Sequence, residues 1–253
     1  MFNKKITFAL QLIVLIAIIV ISVYTLKASA SQNLKGQAYW LDKLNAIRGP
    51  AESFKTSIHL SSFNGDKLIQ ESDLDIFFNG NERVLIAFRS PALDVGRKIL
   101  VNGNNMWLAT PTSQRILRIH PSQRLIGASS NIDAVNYDFS HYILTKESTD
   151  NIDGHDFINV VLAAQDHNQS YQKINFQISP STHNPVVSHH YAASGKLIKI
   201  IQYEAYENGL VSQLRTINPI NRNESTVMKY ENYKETTFPL AIFKKNNLKE
   251  ITL

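Results

Sequence analysis

The sequence has no cysteine among its 253 residues. It therefore forms no disulfide, offers no thiolate to zinc, has no cysteine nucleophile and no cysteine to which a lipid could be attached. It also lacks the motifs of several common sites, namely the G-x-S-x-G elbow, the P-loop, H-E-x-x-H, the EF-hand loop and the dinucleotide fingerprint. These absences favour a binding protein over an enzyme, and we expect no cofactor and no metal.

Concentrated charge of one sign is also missing. The formal net charge is +5, but Lys4, Lys5 and Lys27 lie in the first 30 residues, and the remaining basic and acidic residues nearly balance. A nucleic-acid-binding surface needs clustered Lys and Arg, so nucleic acid is not an expected partner. Hydrophobic residues make up 43% of the chain, which is ordinary for a globular domain.

A long apolar run, Ile6–Leu26, follows two lysines and precedes Ala28-Ser29-Ala30. This layout predicts a secretory signal peptide over residues 1–30, cleaved after Ala30. The run is also long enough to span a bilayer, which takes about 20 residues, so an uncleaved N-terminal membrane anchor remains the alternative. Either form places residues 31–253, interpreted as one domain, outside the cytoplasm, because Lys4 and Lys5 would hold the N-terminus inside.

Strand-like alternation of apolar residues dominates the chain from residue 54 onward, most clearly in Arg83–Leu125. Asn-Gly dipeptides at Asn64, Asn79 and Asn102 predict tight turns between neighbouring strands, which must then pair antiparallel. Large apolar residues occupy both faces around Trp107, so something apolar, either helices or a ligand, should cover the second face. The pattern predicts about ten or eleven strands, with a further extended piece at Arg115–Ile119. The strands are placed at Phe54–Leu60, Leu74–Phe78, Val84–Phe88, Lys98–Val101, Met106–Ala109, Phe157–Ala164, Gln172–Ile178, Val186–Tyr191, Lys196–Tyr203, Leu210–Ile217 and Thr226–Tyr233.

Two segments have helical spacing instead. Asn33–Arg48 places Leu34, Ala38, Leu41 and Leu44 near one side and ends at Gly49-Pro50. Ser129–Lys146 carries an apolar stripe of Ile132, Val135, Phe139, Tyr142 and Ile143 behind a start that resembles a capping box. The second stripe needs a partner, and the sheet is the expected one.

Several residues in a fixed order carry a resemblance to a known family. They are Gly96, Leu100, Met106-Trp107, Pro111, Arg115, Arg118, Gly127 and Asp138, followed near the end by Phe238-Pro239, Phe243 and Leu248. Over Lys35 to Leu248 the chain resembles the outer-membrane lipoprotein-sorting, or LolA-like, proteins. The resemblance implies a mainly β fold with some α, an incomplete antiparallel β-barrel curved around a helical lid.

The resemblance further implies a periplasmic carrier that holds the acyl chains of a lipid or lipoprotein in a hydrophobic cavity between sheet and helices. An RND-type transporter of the inner membrane is the second expected partner. Arg115 and Arg118, with Arg89, would hold a head group or a helix in the closed state. The candidate ligand-binding residues are Phe88, Leu100, Met106, Trp107, Arg115, Arg118 and Phe139.

Other functions stay open at this point. A membrane-tethered accessory protein of an RND-type exporter would have a cavity filled by its own side chains. A hydrolase would need a Ser or Asp beside a His at the cavity mouth. A metal site could use His183, His189 and His190 with His155, Asp156 and His167, although adjacent His189 and His190 point to opposite faces of a strand. Asp73 and Asp75 share a strand face, where we expect solvated carboxylates.

Overall fold

The protein is described here by a computed structural model. The chain divides into two compact units, Met1–Trp40 and Leu41–Leu253. The first 35 residues, with the predicted signal peptide or anchor, lie outside the described part, and no helix within that part is long and apolar enough to cross a membrane. The residues that the structure describes are 36–50, 52–80, 83–103, 105–120, 123–130 and 138–251.

Helix α1 covers residues 36–46, so the helix predicted over Asn33–Arg48 is confirmed for its described part. The strands follow it along the chain, and short 3-10 turns lie at Phe139–His141, Leu240–Phe243 and Lys245–Asn247. Within the described residues the fifteen strands are β1 Phe54–Asn64, β2 Lys67–Asn79, β3 Arg83–Phe88, β4 Lys98–Asn102, β5 Asn105–Ala109, β6 Leu117–Ile119, β7 Arg124–Ile126, β8 Ser129–Ser130, β9 Tyr142–Ile152, β10 His155–Ala164, β11 Lys173–Ile178, β12 Pro185–Tyr191, β13 Leu197–Glu207, β14 Leu210–Ile217 and β15 Glu224–Glu235.

Thirteen strands form one antiparallel sheet in the order β6-β5-β4-β3-β2-β1-β15-β14-β13-β12-β11-β10-β9, and β7 and β8 form a separate hairpin. Almost every neighbour in the large sheet is also a neighbour in sequence, because tight turns join consecutive strands. The exception is β1, which pairs with β15 and so joins the two ends of the meander. The sheet is curved but unclosed, with β6 and β9 at its edges. The predicted count of ten or eleven strands was too low.

The helix predicted over Ser129–Lys146 is wrong wherever the structure describes it. Residues 129–130 belong to β8, a 3-10 turn covers Phe139–His141, and Tyr142 begins β9, which pairs with β10. The Asp138 side chain caps the 3-10 turn by accepting a hydrogen bond from the Ser140 amide at 2.8 Å. Pairing with a long neighbouring strand outweighs a short stripe of helical spacing. Ile132 and Val135 lie outside the described residues, and α1 is the single α-helix within them.

Each face of the large sheet has its own cover. Direct cross-strand partners share a face, so the registers define one face by the row Ser62, Thr226, Thr216, Ile201 and Ser188. The β7–β8 hairpin packs on this side, which we call the hairpin face. The opposite side, the C-terminal face, packs against the end of the chain through a cluster of Phe77, Leu85, Ala87, Leu100, Ala109, Phe243 and Leu248. The expected apolar cover of the second face is therefore a segment of this chain.

Candidate functional site: the hairpin face of the sheet

The seven candidate ligand-binding residues do not lie on one face. Phe88 and Met106 are buried on the hairpin face of β3 and β5. Phe139 is also buried, and its ring meets that of Phe176 edge-on at 5.8 Å between centroids. Phe176 is the cross-strand partner of Ser188 and so belongs to the hairpin face. These three residues are core side chains of the face on which an apolar ligand could lie.

Leu100, Trp107 and Arg118 lie on the other side. Leu100 belongs to the cluster on the C-terminal face, and Trp107 packs against it. Arg118 is the cross-strand partner of Trp107 and donates to Asn105 Oδ1 at 2.6 Å. Arg115 lies in the loop before β6, where its backbone amide donates a hydrogen bond to Ser113 Oγ. The contact of these residues with a ligand stays a prediction, and the described geometry gives them structural partners within the chain.

A row of hydroxyl groups anchors the β7–β8 hairpin to the sheet. Ser129 and Thr216 share a hydrogen bond of 2.8 Å between their side-chain oxygens, and Thr226 Oγ1 accepts from the Ala128 amide at 3.0 Å. Gly127 forms the turn with φ +53°, and a Cβ there would lie 2.1 Å from Ser62 Oγ. Only a glycine can bring the backbone so close in this conformation. The hairpin is thus held by polar contacts on a largely apolar face.

A second polar group lies further along the same face, on β12 and β13. Ser188 Oγ is 2.8 Å from His190 Nε2 and 3.4 Å from the Tyr203 hydroxyl. Lys199 is the direct cross-strand partner of His190. We call Ser188, His190, Lys199 and Tyr203 the basic cluster; all four are at most 9% exposed. Sequence reasoning missed it as a unit because only the β12–β13 register brings Lys199 beside His190.

A small pocket lies beside the basic cluster and shares Tyr203 with it. Its empty volume is about 220 Å³, open to solvent, whereas sites for drug-sized ligands run about 300–1,000 Å³. Burial, followed by the neighbouring Tyr230, raises the pKa of Tyr233 in its wall well above the ordinary value, so that phenol stays protonated. The lining residues are Arg48, Tyr203, Val211, Leu214, Tyr230 and Tyr233.

Comparison with known proteins identifies this architecture. A family model with the description "Uncharacterized protein" matches residues 80–250. A LolA superfamily protein from Nitrosomonas europaea is similar to this chain at 26% identity and a TM-score of 0.75, and the match covers 83% of this chain and 98% of that one. The chain belongs to the family of the matching model, and its fold is LolA-like. No curated protein matches it.

Two further solved structures share the LolA-like fold. A DUF1329 family protein from Desulfovibrio piger is 19% identical, with a TM-score of 0.71 and coverage of 85% of this chain and 99% of that chain. A domain from Vibrio parahaemolyticus, described as an outer membrane lipoprotein-sorting protein, is 16% identical, with a TM-score of 0.68 and coverage of 86% and 100%. At these identities the two likenesses concern the fold alone.

The sequence also offered histidines as possible metal ligands and left a Ser–His hydrolase site open. Within the described ranges, no three His, Asp or Glu side chains converge on a possible metal position. His189 is half-buried and points away from buried His190, as alternation along a strand predicts, and burial followed by the charge of Arg222 lowers its pKa. Ser188 and His190 form a hydrogen-bonded pair of the kind a hydrolase uses, but both are buried, with 0% and 2% exposure.

Asp73 and Asp75 belong to an ionic network on the C-terminal face of β1 and β2. Asp75 Oδ2 is 3.0 Å from Lys55 Nζ, and Asp75 Oδ1 is 2.9 Å from Arg89 Nε. Asp73 Oδ1 is 2.8 Å from His59 Nδ1. The two aspartates share a strand face as predicted, and each carboxylate has a basic partner on a neighbouring strand or loop.

Proposed function

We propose that this LolA-like protein is a periplasmic carrier that binds the acyl chains of a lipid or lipoprotein on the hairpin face of its sheet. The supporting observation is a broad, largely apolar sheet face on which the small β7–β8 hairpin is held by hydroxyl contacts. The fold of this chain is also similar to that of a domain described as an outer membrane lipoprotein-sorting protein, which supports the same class of cargo. Carriage by this route requires no chemical step.

Displacement of the β7–β8 hairpin would make room for the cargo. The described pocket is small, so an acyl chain needs space that the hairpin now occupies. Among the described contacts, leaving the sheet costs the hairpin two hydrogen bonds, Ser129 to Thr216 and Ala128 to Thr226, each with a net contribution of about 1 kcal/mol. It also exposes the side chain of Leu125, which is 6% exposed in the folded chain. Each methylene of an incoming chain contributes roughly 0.8 kcal/mol on burial. A few methylenes therefore offset the loss, and the same balance permits release to an acceptor.

The first test is native mass spectrometry of the protein purified without detergent from cells that make it, followed by solvent extraction of the sample. A carrier should retain a fraction of acyl lipid or acylated protein, visible as a mass increment that extraction removes. A protein that carries no such mass, and takes up no fluorescent acyl probe, would contradict the proposal. Co-purification of an RND-type inner-membrane transporter instead would favour the accessory function.

A second test locks the hairpin. The chain has no cysteine, so after the double substitution Ser129→Cys and Thr216→Cys an intramolecular disulfide can form only between these two positions, and a monomeric mass excludes cross-linked dimers. Oxidation should abolish uptake of an acyl probe, and reduction should restore it, because the hairpin can leave the sheet only when the bond is open. Loss of free thiols reports that the bond has formed.

The matched control for the lock is the pair Ser129→Ala and Thr216→Val, which removes the hydrogen bond without adding a cross-link. This variant should bind the probe at least as tightly as the natural protein, in either redox condition. If the oxidised cysteine variant takes up the probe as well as its reduced form, the hairpin does not gate the ligand site.

A further inference from the structure

Two basic side chains lie buried side by side on the hairpin face. His190 and Lys199 are direct cross-strand partners with exposures of 2% and 6%. Across the residues that the structure describes, Lys199 is the single buried Lys, Arg, Asp or Glu, and His190 is the single buried histidine. A buried cation is costly unless polar or anionic groups compensate it, and lysine is rarely found in such a place. This position on a face of Ile, Leu and Phe side chains is therefore unusual.

Hydroxyl groups and an aromatic ring lie beside the two basic residues. The Ser188 hydroxyl lies within hydrogen-bonding distance of both His190 Nε2 and the Tyr203 hydroxyl, at 2.8 and 3.4 Å. The Tyr171 ring packs edge-on against His190 at 4.6 Å between ring centroids, and Lys199 Nζ lies 6.0 Å from the centre of that same ring. An ammonium, an imidazole and two hydroxyls thus share one region. These are the donor types that recognise carboxylate and phosphate oxygens.

The basic cluster also has a route toward solvent. Tyr203 lies in the cluster and in the wall of the open pocket, where Arg48 is another lining residue. Arg48 adds a positive charge to that of Lys199, on the side from which a ligand would approach. Positive charge around a cleft attracts anions before they make contact. The pocket is too small for an acyl chain, but it adjoins the groups that would receive an anionic end.

We propose that the basic cluster binds the anionic oxygen group, a carboxylate or a phosphate, of the ligand whose acyl chain lies on the hairpin face. The inference rests on the proposed carrier function and adds to it the orientation of the bound ligand. Lys199 supplies the charge, while Ser188, His190 and Tyr203 supply directed hydrogen bonds. The ligand then has one orientation, with its charged end at β12 and β13 and its chain along the apolar rows of the sheet.

The test compares two ligands that share an acyl chain and differ in charge, oleate and methyl oleate, titrated into the full-length protein. Oleate should bind about tenfold or more tightly than its ester, the size expected for one charge-assisted hydrogen bond. Lys199→Met should reduce this ratio toward one, whereas Lys199→Arg should retain most of it. Inorganic phosphate, added alone as a competitor, distinguishes a free anion from a lipid headgroup.

Lys173→Met is the matched control. Lys173 lies on neighbouring β11, but it is exposed on the opposite face, with its Nζ 4.1 Å from the centre of the Tyr191 ring. Its loss removes the same charge from the same region and should leave the oleate preference unchanged. Thermal unfolding of each variant shows whether it is folded. The ratio of oleate to methyl oleate affinity in the natural protein is measured without any variant.

The outcomes separate the two proposals. Equal binding of oleate and methyl oleate by the natural protein would overturn the headgroup site while leaving the carrier function intact. Binding of neither ligand would contradict the carrier function itself. An oleate preference that Lys173→Met removes as completely as Lys199→Met would mean a general charge effect and would also overturn the site. Competition by phosphate at the strength of oleate would assign the cluster to a free anion.

Discussion

At the scale of single residues, Gly127 has the strictest requirement in the described structure. Its φ of +53° lies in the left-handed region, and a Cβ would approach Ser62 Oγ to 2.1 Å and Ser62 Cβ to 2.8 Å. The β7–β8 turn therefore depends on glycine both for its backbone conformation and for its contact with the sheet. In the sequence, Gly127 is one of the residues that carry the family resemblance. That its Cβ position would clash with Ser62 follows only from where β1 lies in the fold.

We expect Gly127→Ala to loosen the hairpin. The left-handed strain alone costs about 1–2 kcal/mol, and the clash with Ser62 adds to it, so the free energy of unfolding should fall by more than that amount. Gly65→Ala is the matched control, because Gly65 has φ +59° and nothing within 4 Å of the added Cβ. Chemical denaturation of both variants checks the difference, and hydrogen exchange at 123–130 should rise in Gly127→Ala alone. Equal losses in the two variants would contradict the close approach.

His59 on β1 and Asp73 on β2 form an ion pair, with His59 Nδ1 2.8 Å from Asp73 Oδ1. The hydrogen bond that His59 donates to Asp73, then the one that it donates to Glu71, raises the pKa of His59 above its ordinary 6.5, although partial burial opposes them. Hydrogen bonds from His59 and Ser90 lower the pKa of Asp73 below its ordinary 3.8. A raised histidine pKa stabilises the fold fully below the unfolded value, and this contribution is lost as pH rises through the folded value.

We expect His59→Gln to cost stability at pH below 6.5 and progressively less as pH rises above that value. Denaturant unfolding of both proteins across this range measures the difference. The Asp73 contribution has the opposite sign: it is present above pH 3.8 and is lost as pH falls below it. In an Asp73→Asn background the pH dependence caused by His59→Gln should shrink, since its main cause is gone. An unchanged dependence would show that the pair is not responsible.

At the scale of elements, the C-terminal segment acts as the cover of one sheet face. Phe243, in the 3-10 turn Leu240–Phe243, is 3% exposed and belongs to the cluster with Leu85 and Leu100. Lys249 Nζ donates to the Ser113 carbonyl and so ties the segment to the loop before β6. Without this cover, the apolar residues of β3 and β4 would face water.

We expect Phe243→Ala to lower the free energy of unfolding by about 3–5 kcal/mol, the usual cost of removing a buried phenyl ring. Leu240→Ala, in the same 3-10 turn but 56% exposed, should change it by less than about 0.5 kcal/mol. Denaturant titration of the two variants measures both values. Similar small effects would mean that the C-terminal segment is not an integral part of the core.

The elements also show where sequence patterns suffice. Alternation of apolar residues and Asn-Gly turns located β1 to β6 and β10 to β15, because both signals lie along the chain itself. The first half of β2, which begins at Lys67 and not at Leu74, was missed. The prediction failed for the segment that begins at residue 142, which is a strand and not a helix. Tyr142 and Ile143 fit a helical stripe locally, but pairing with β10 places them in a strand, and the Tyr142 hydroxyl donates to the Tyr171 carbonyl at 2.9 Å. A non-local partner decided that element.

At the scale of the whole molecule, a bound ligand should stabilise the fold. A carrier binds its cargo only in the folded state, so free ligand at a hundred times its Kd raises the free energy of unfolding by about 2.7 kcal/mol. We expect the melting temperature to rise with oleate concentration and to rise less in the oxidised Ser129→Cys, Thr216→Cys variant, where the hairpin cannot leave. A melting temperature independent of oleate, at concentrations where probe binding saturates, would contradict folded-state binding.

By itself the sequence determined an antiparallel meander, its turns, an N-terminal helix and the resemblance to LolA-like proteins. These depend on local periodicity, on turn residues and on an ordered set of motifs, all of which lie along the chain. The tertiary structure alone decided that Trp107 and Leu100 face the C-terminal segment while Phe88 and Met106 face the hairpin. It also brought Lys199 beside His190. Such neighbours depend on strand register and on what covers each face, which are set by contacts between residues far apart in sequence.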